Sequence, residues 1–155
     1  MIIINQTVMA FEGTHIRFAL DVKEKFNIED TTPYISGSIY PDSRYQTGIE
    51  RELTHDDSYL SESFWHDSDF RKGWATHLLY DAIQGSIHKL WWKDLLDGKT
   101  GEQGWVIRTA LKMVQDMQDI QSFPIQDALP SLDYIETPNQ ENPRIMQEYN
   151  QKFVQ

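Results

Sequence analysis

Between Gly73 and Asp81 the chain reads Gly-Trp-Ala-Thr-His-Leu-Leu-Tyr-Asp, with a histidine and a carboxylate one helical turn apart in otherwise apolar company. On an α-helix His77 and Asp81 lie about 40° apart, and His88, three turns beyond His77, returns to within about 20° of it. Trp74, Ala75, Leu78, Leu79, Ala82, Ile83, Ile87, Leu90 and Trp91 fill most of the remaining circumference, so this helix is expected to be packed on several sides. A polar stripe on such a helix faces the interior or a cleft. Burying it without a partner is costly, and a divalent metal is one suitable partner. The competing reading is a solvated polar face on a surface helix.

The remaining composition narrows what that stripe can do. At 155 residues the chain has the size of one domain. It is read as residues 1–155 in a single helical domain, with a metal-site half over about 14–90 and C-terminal helices over about 100–153. A formal net charge of −10 argues against generic nucleic-acid binding, which needs clustered Lys and Arg. Acidic clefts suit divalent cations. Cysteine is absent, which excludes disulfides and thiolate zinc sites and leaves metal binding to histidine and carboxylate. Met1-Ile-Ile-Ile-Asn-Gln lacks the basic segment and long apolar run of a signal peptide, and no stretch reaches the roughly 20 apolar residues of a membrane span. The expectation is a soluble cytoplasmic protein, compatible with homo-oligomer formation.

Periodicity places a first helix over Thr14–Phe26, ending near Asn27. Residues 29–68 read as mostly irregular or short-helical, because Pro33, Gly37, Pro41 and Gly48 punctuate a segment dense in Asp, Ser and Thr. A long central helix is expected from about Asp69 to Leu96, stopping at Asp97-Gly98. Thr100 and Gln103 form a capping-box pattern opening a further helix, whose apolar stripe is Trp105, Ile107, Ala110, Leu111, Val114 and Met117 and whose end falls near Phe123-Pro124. A last helix opens at Asn142-Pro143. Only Ile2–Val8 reads as strand, so the class is mainly α.

The five histidines are scattered. His15 lies in the first helix, His55 and His66 in or beside the acidic loop, and His77 and His88 on the central helix. Gly37-Ser-Ile-Tyr-Pro-Asp42 adds a tight turn presenting a carboxylate. Three of these segments together resemble the zinc-dependent phospholipase C family. Thr14-His-Ile-Arg-Phe-Ala19 resembles its first-helix histidine, Gly37-Ser-Ile-Tyr-Pro-Asp42 its glycine-to-Pro-Asp turn, and Gly73 to Asp81 its His-x-x-x-Asp helix. His55 fits the histidine expected between the last two, and the similarity covers roughly residues 14–90. The resemblance implies the multi-helical phospholipase C / P1 nuclease metallohydrolase fold. It further implies that Asp42, His55, His77 and Asp81 hold one metal, and that His15 helps bind a second with Asp81 bridging. The family's processed N-terminal ligand has no counterpart before His15. Its third metal also lacks ligands here, because only His88 follows Asp81.

Phosphoester hydrolysis is the natural chemistry of such a centre. Two divalent ions about 3.5–4 Å apart lower the pKa of a water and neutralise charge on phosphoryl oxygens. Imidazole with carboxylate suits zinc, and also manganese or iron. Arg44 and Arg51 flank the ligand loop and could receive phosphate oxygens bidentately, or pair with Glu50, Glu52 or Asp57. The expected function is therefore a divalent-metal-dependent hydrolase acting through a metal-activated water on a small-molecule or lipid-like phosphoester. Two alternatives stand beside it. One is a histidine-aspartate phosphohydrolase, whose adjacent pair would be His55-Asp56 or His66-Asp67. The other is a non-catalytic helical protein in which a structural metal staples the loop-rich half to the central helix, with a role in partner binding. Gly98-Lys-Thr100 lacks the first glycine of a phosphate loop, and no serine sits in a nucleophile elbow.

Overall fold

The computed structural model describes residues 12–154, and within them every regular element is a helix. The α-helices are α1 (Glu12–Val22), α2 (Thr31–Ile39), α3 (Arg44–Thr47), α4 (Glu62–Trp65), α5 (Asp69–Trp91), α6 (Lys93–Leu96), α7 (Gly101–Ser122) and α8 (Pro143–Gln151). Tighter 3₁₀ turns cover 23–25, 40–43, 51–53, 57–60 and 125–133. The mainly α class agrees with this. The strand expected at Ile2–Val8 lies outside the described residues.

Segment 29–68 departs from the irregular or short-helical reading at one place that matters. Residues 31–39 form a two-and-a-half-turn helix whose last six residues are all buried. Asp30 caps it by accepting the Thr32 N–H at 2.9 Å. Pro33 does not break it, because in the first turn its missing N–H would have had no intrahelical acceptor. Gly37 does not break it either, and its smallness is what lets α2 dock. A Cβ at Gly37 would stand 2.0 Å from the carbonyl oxygen of Phe70, and one at Gly73 would stand 2.0 Å from that of Tyr34. The two helices therefore cross backbone to backbone, with one glycine from each at the crossing.

Apolar side chains close around that crossing in two groups. Tyr34, Ile35 and Ile39 of α2 pack with Ile16 and Ala19 of α1 and with Ile125, Ala128, Leu132 and Tyr149. Tyr40, Phe64, Phe70, Trp74, Ala75, Leu78 and Met146 form the second group. The tyrosine hydroxyls at this packing find partners: Tyr34 Oη lies 3.1 Å from Thr76 Oγ1 and 3.2 Å from the Ala19 carbonyl oxygen, and Tyr149 Oη lies 2.9 Å from a Glu12 carboxylate oxygen.

The central helix is shorter and less enclosed than its pattern suggests. α5 ends at Trp91, Trp92 leaves helical geometry, and the single turn of α6 then stops before Gly98, whose φ of 65° gives the left-handed end expected there. Residues Phe70 to Leu78 are largely buried, whereas Leu90 and Trp91 are 76% and 78% exposed. Packing on several sides thus holds only for the first half of the helix.

α7 turns the opposite way to its apolar stripe. Its buried positions are Gly104, Asp116 and Asp119, while Trp105, Val114 and Met117 face outward. The reason lies in the start of α1, whose first N–H groups need acceptors. Asp116 Oδ1 accepts the Thr14 N–H at 2.8 Å, and Asp119 pairs with Arg17 at 2.8 Å. Thr100 stands at the N-cap of α7 without a capping hydrogen bond from its side chain. Asn142 and Pro143 open α8 as expected, Asn142 accepting the Arg144 N–H at 2.9 Å. No helix among the described residues is long and apolar enough to cross a membrane.

The crossing makes a direct prediction. Gly37→Ala and Gly73→Ala each place a methyl group on a backbone carbonyl and should lower unfolding free energy by about 3 kcal/mol or more in urea titrations. Gly85→Ala, where nothing lies within 4 Å of the added Cβ, should raise it by about 1 kcal/mol.

Candidate metal centre

Five side chains from four parts of the chain converge beside the crossing. α1 brings His15, and the 40–43 turn that continues α2 brings Asp42. The loop that follows the 51–53 turn brings His55, and α5 brings His77 and Asp81. Pro41, at the start of its turn, sets φ for the bend that aims Asp42 inward. Trp74 Nε1 donates to the Thr54 carbonyl at 2.7 Å and pins the loop that carries His55.

The spacing among these groups is informative. His55 Nε2 stands 3.6 Å from Asp42 Oδ1 and 3.9 Å from Asp81 Oδ2, and His77 Nε2 stands 3.9 Å from Asp42 Oδ2 and 3.7 Å from Asp81 Oδ2. His15 Nε2 is 3.8 Å from Asp81 Oδ1. All five separations are too long for hydrogen bonds. Donors held about 2.1 Å from one tetrahedral ion stand about 3.4 Å from each other, so these separations are close to those a shared ion would require.

Neighbouring groups orient the imidazoles. His77 Nδ1 donates to the Ser38 carbonyl at 2.8 Å, which directs the Nε2 lone pair at the carboxylates, and that buried Nε2 has no hydrogen-bond partner. His55 Nδ1 lies 2.8 Å from Thr54 Oγ1. The His15 ring stacks on that of His77 at 3.6 Å between centroids, 12° from parallel. The side chain of His77 is fully buried and those of His15 and His55 nearly so, while Asp81 keeps 31% exposure and marks the open edge.

Both kinds of side chain hold the protonation state that suits cation binding. Burial lowers His15 to about 3, helped by the neighbouring His77, and burial also lowers His55. Burial alone would raise the two carboxyls. For Asp42 this is outweighed by His55, His77 and His15, and for Asp81 by His77 and His15, so both lie below the usual carboxylate range. Neutral imidazole and ionised carboxylate are the forms that ligate a metal.

A cleft of about 120 Å³ opens onto the cluster, with Tyr45, Arg51, Tyr80, Gln84 and Lys112 on its walls. His15, Asp42, His55, His77 and Asp81 are thus brought together. His88 is not: it is buried further along α5, against Trp92 at 3.4 Å between centroids with the rings tilted by 30°. Arg51 reaches the cleft, whereas the guanidinium of Arg44 lies over the Tyr45 ring at 4.2 Å. Of the adjacent His-Asp pairs, Asp56 caps the exposed 57–60 turn by accepting the Ser58 N–H at 2.8 Å, and His66 is exposed on the surface. Neither pair enters the centre as a unit.

Sequence reasoning missed Tyr80, Gln84 and Lys112. Tyr80 and Gln84 share the α5 stripe with His77 and Asp81, and Gln84 and Gln115 both donate to Tyr80 Oη at 2.9 Å. Their helical spacing was a readable signal. Lys112 had none, because only the packing of α7 on α1 brings it to the cleft.

Against known proteins, the chain matches no family model, no curated protein and no solved structure.

The depressed histidines set a pH dependence for the metal-free protein. The unfolded chain protonates His15 near 6.5, whereas the folded chain resists protonation down to about 3. The unfolded state therefore binds more protons throughout that window, and stability falls as pH drops through it. By pH 5 the loss from His15 is about 2 kcal/mol. Thermal melts of chelator-treated protein should show a lower midpoint at pH 5 than at pH 7.5, with His15 accounting for about 5 °C of the fall; His15→Asn should remove that share and leave the shares of His55 and His88, which burial also lowers.

Proposed function

We propose that this chain is a divalent-metal-dependent hydrolase acting on a phosphoester. The observation that carries the reading is the convergence of three imidazoles and two carboxylates at ligand spacing, with a buried, unpartnered His77 Nε2 aimed among them. Asp42, His55, His77 and Asp81 would hold one ion. Asp81 turns Oδ2 toward His55 and His77 and Oδ1 toward His15, an arrangement that suits a carboxylate shared with a second ion at His15. The donor set suits zinc first, with manganese or iron as alternatives. The resemblance of residues 14–90 to zinc-dependent phospholipases C supports the same chemistry.

A divalent ion, when bound, supplies Lewis acidity and lowers the pKa of a water at the phosphoryl group. The chain's own residues do the rest. Ser38 fixes the His77 tautomer, Trp74 and Thr54 hold His55 in place, and the buried side of the cluster excludes bulk water. No serine, threonine or cysteine nucleophile is needed. The centre opens to solvent at Asp81, whereas a structural staple closes its coordination with protein ligands.

The test is metal stoichiometry by plasma mass spectrometry on tag-free protein reconstituted with zinc. Wild type should retain zinc at up to two ions per chain, His15→Ala should lose the second ion only, and His77→Ala and Asp81→Ala should lose most of both while staying helical by circular dichroism. Stoichiometric zinc in both of the last two variants would refute the site. Zinc retention without turnover of any phosphoester would leave the structural-metal alternative.

A further inference from the structure

The 22 residues of α7 bury no apolar side chain. The helix buries only Gly104, Asp116 and Asp119, and the two carboxylates serve α1. Helices in proteins owe most of their stability to packing an apolar face. That face of α7 is left largely open, with Trp105, Val106, Met113, Val114, Met117 and Ile120 each 39–56% exposed. Val106, Ala110, Met113, Met117 and Ile120 follow one another at intervals of four, three, four and three residues, the alternation of a helix that pairs with another helix. All five are exposed, and none of the charged side chains of α7 falls on this seam.

We infer that the seam pairs with the α7 of a second copy of the chain, making the protein a twofold dimer whether or not a metal is bound. Charge is the first argument. Two chains of net charge −10 repel over most of their surfaces, so a contact between them needs a patch on which like charges do not meet. In a twofold contact the same patch lies on both sides, and an uncharged seam is complementary to itself. A lipid surface is a poorer match. α7 carries Glu102, Asp116 and Asp119 against Arg108 and Lys112, and in an acidic chain nothing draws that helix to anionic headgroups. Area is the second argument. Two copies meeting on these side chains would bury on the order of 1,200 Å², which reaches the size class of a specific interface. The seam is short, but Asp116 and Asp119 already hold α7 against α1, so pairing carries no cost of helix nucleation. Pairing also recovers the hydrocarbon burial that α7 forgoes within one chain by turning its carboxylates inward.

Sedimentation equilibrium on the full chain, once zinc-loaded and once chelator-treated, tests the pairing. At about 50 µM both forms should show twice the 18.2 kDa of one chain. Met113→Glu and Met117→Glu each put a carboxylate on the seam and should weaken association about 100-fold or more. Helicity by circular dichroism should be unchanged, because both side chains are exposed within one chain. Gln118→Glu adds the same charge at an exposed position off the seam and should leave the association constant within about threefold of wild type. A single-chain mass in either form, an assembly larger than two chains, or a dimer indifferent to both methionine substitutions would overturn the inference. A single-chain protein that co-sediments with anionic phospholipid vesicles would overturn it too, and assign the face to lipid.

Discussion

The backbone crossing of α2 and α5 is the constraint on which the remainder of this structure depends. Because Gly37 and Gly73 each face the other helix's carbonyl, the helices approach closely enough for the Ser38 carbonyl to reach His77 Nδ1. The same approach carries the 40–43 turn past α5, so that Asp42 arrives opposite His77 and Asp81. Side chains larger than hydrogen at either glycine would separate the helices and draw the carboxylate away from the imidazoles. Packing and chemistry therefore share one geometric condition.

Gathering three histidines and two aspartates in a mostly buried space is unfavourable by itself. The fold sustains it with aromatic packing around Trp74 and with α1 anchored through its polar N-terminal turn. Asp116 and Asp119 do the anchoring, which is why α7 directs carboxylates inward and leaves Trp105, Val114 and Met117 in solvent. Turning the apolar stripe inward instead would bury hydrocarbon at the expense of the Thr14 N–H and the Arg17 guanidinium. His15, next to Thr14, would then lose its position over His77. An unfavourable orientation of one helix is thus coupled to the placement of one candidate ligand.

Local patterns made much of the architecture legible. The helical class, the extent of α7, the left-handed residue at Gly98 and the Asn142-Pro143 start follow from period and helix-end chemistry, which act within one turn, whereas α1 starts two residues before Thr14 and stops at Val22, short of Phe26. The His77–Asp81 stripe was readable for the same reason. α2 was not, since Pro33 and Gly37 usually interrupt helices, and nothing within a few residues reveals that a partner backbone needs the glycine. The exposure of Trp91 and Leu90 was equally hidden, because an apolar circumference indicates burial without saying how far a neighbouring element extends.

By itself, the sequence determined which elements form and which residue types could act as ligands, because helix periodicity, turn chemistry and the absence of cysteine are properties of short segments and composition. Tertiary structure alone decided that His15, Asp42 and His55 meet the α5 pair while His88, Arg44 and Asp56 do not, and that Lys112 joins the cleft from α7. Those choices depend on how closely two backbones can approach and on which face of a helix satisfies its neighbour's polar groups. Both are settled between segments distant along the chain, where local preference carries no information.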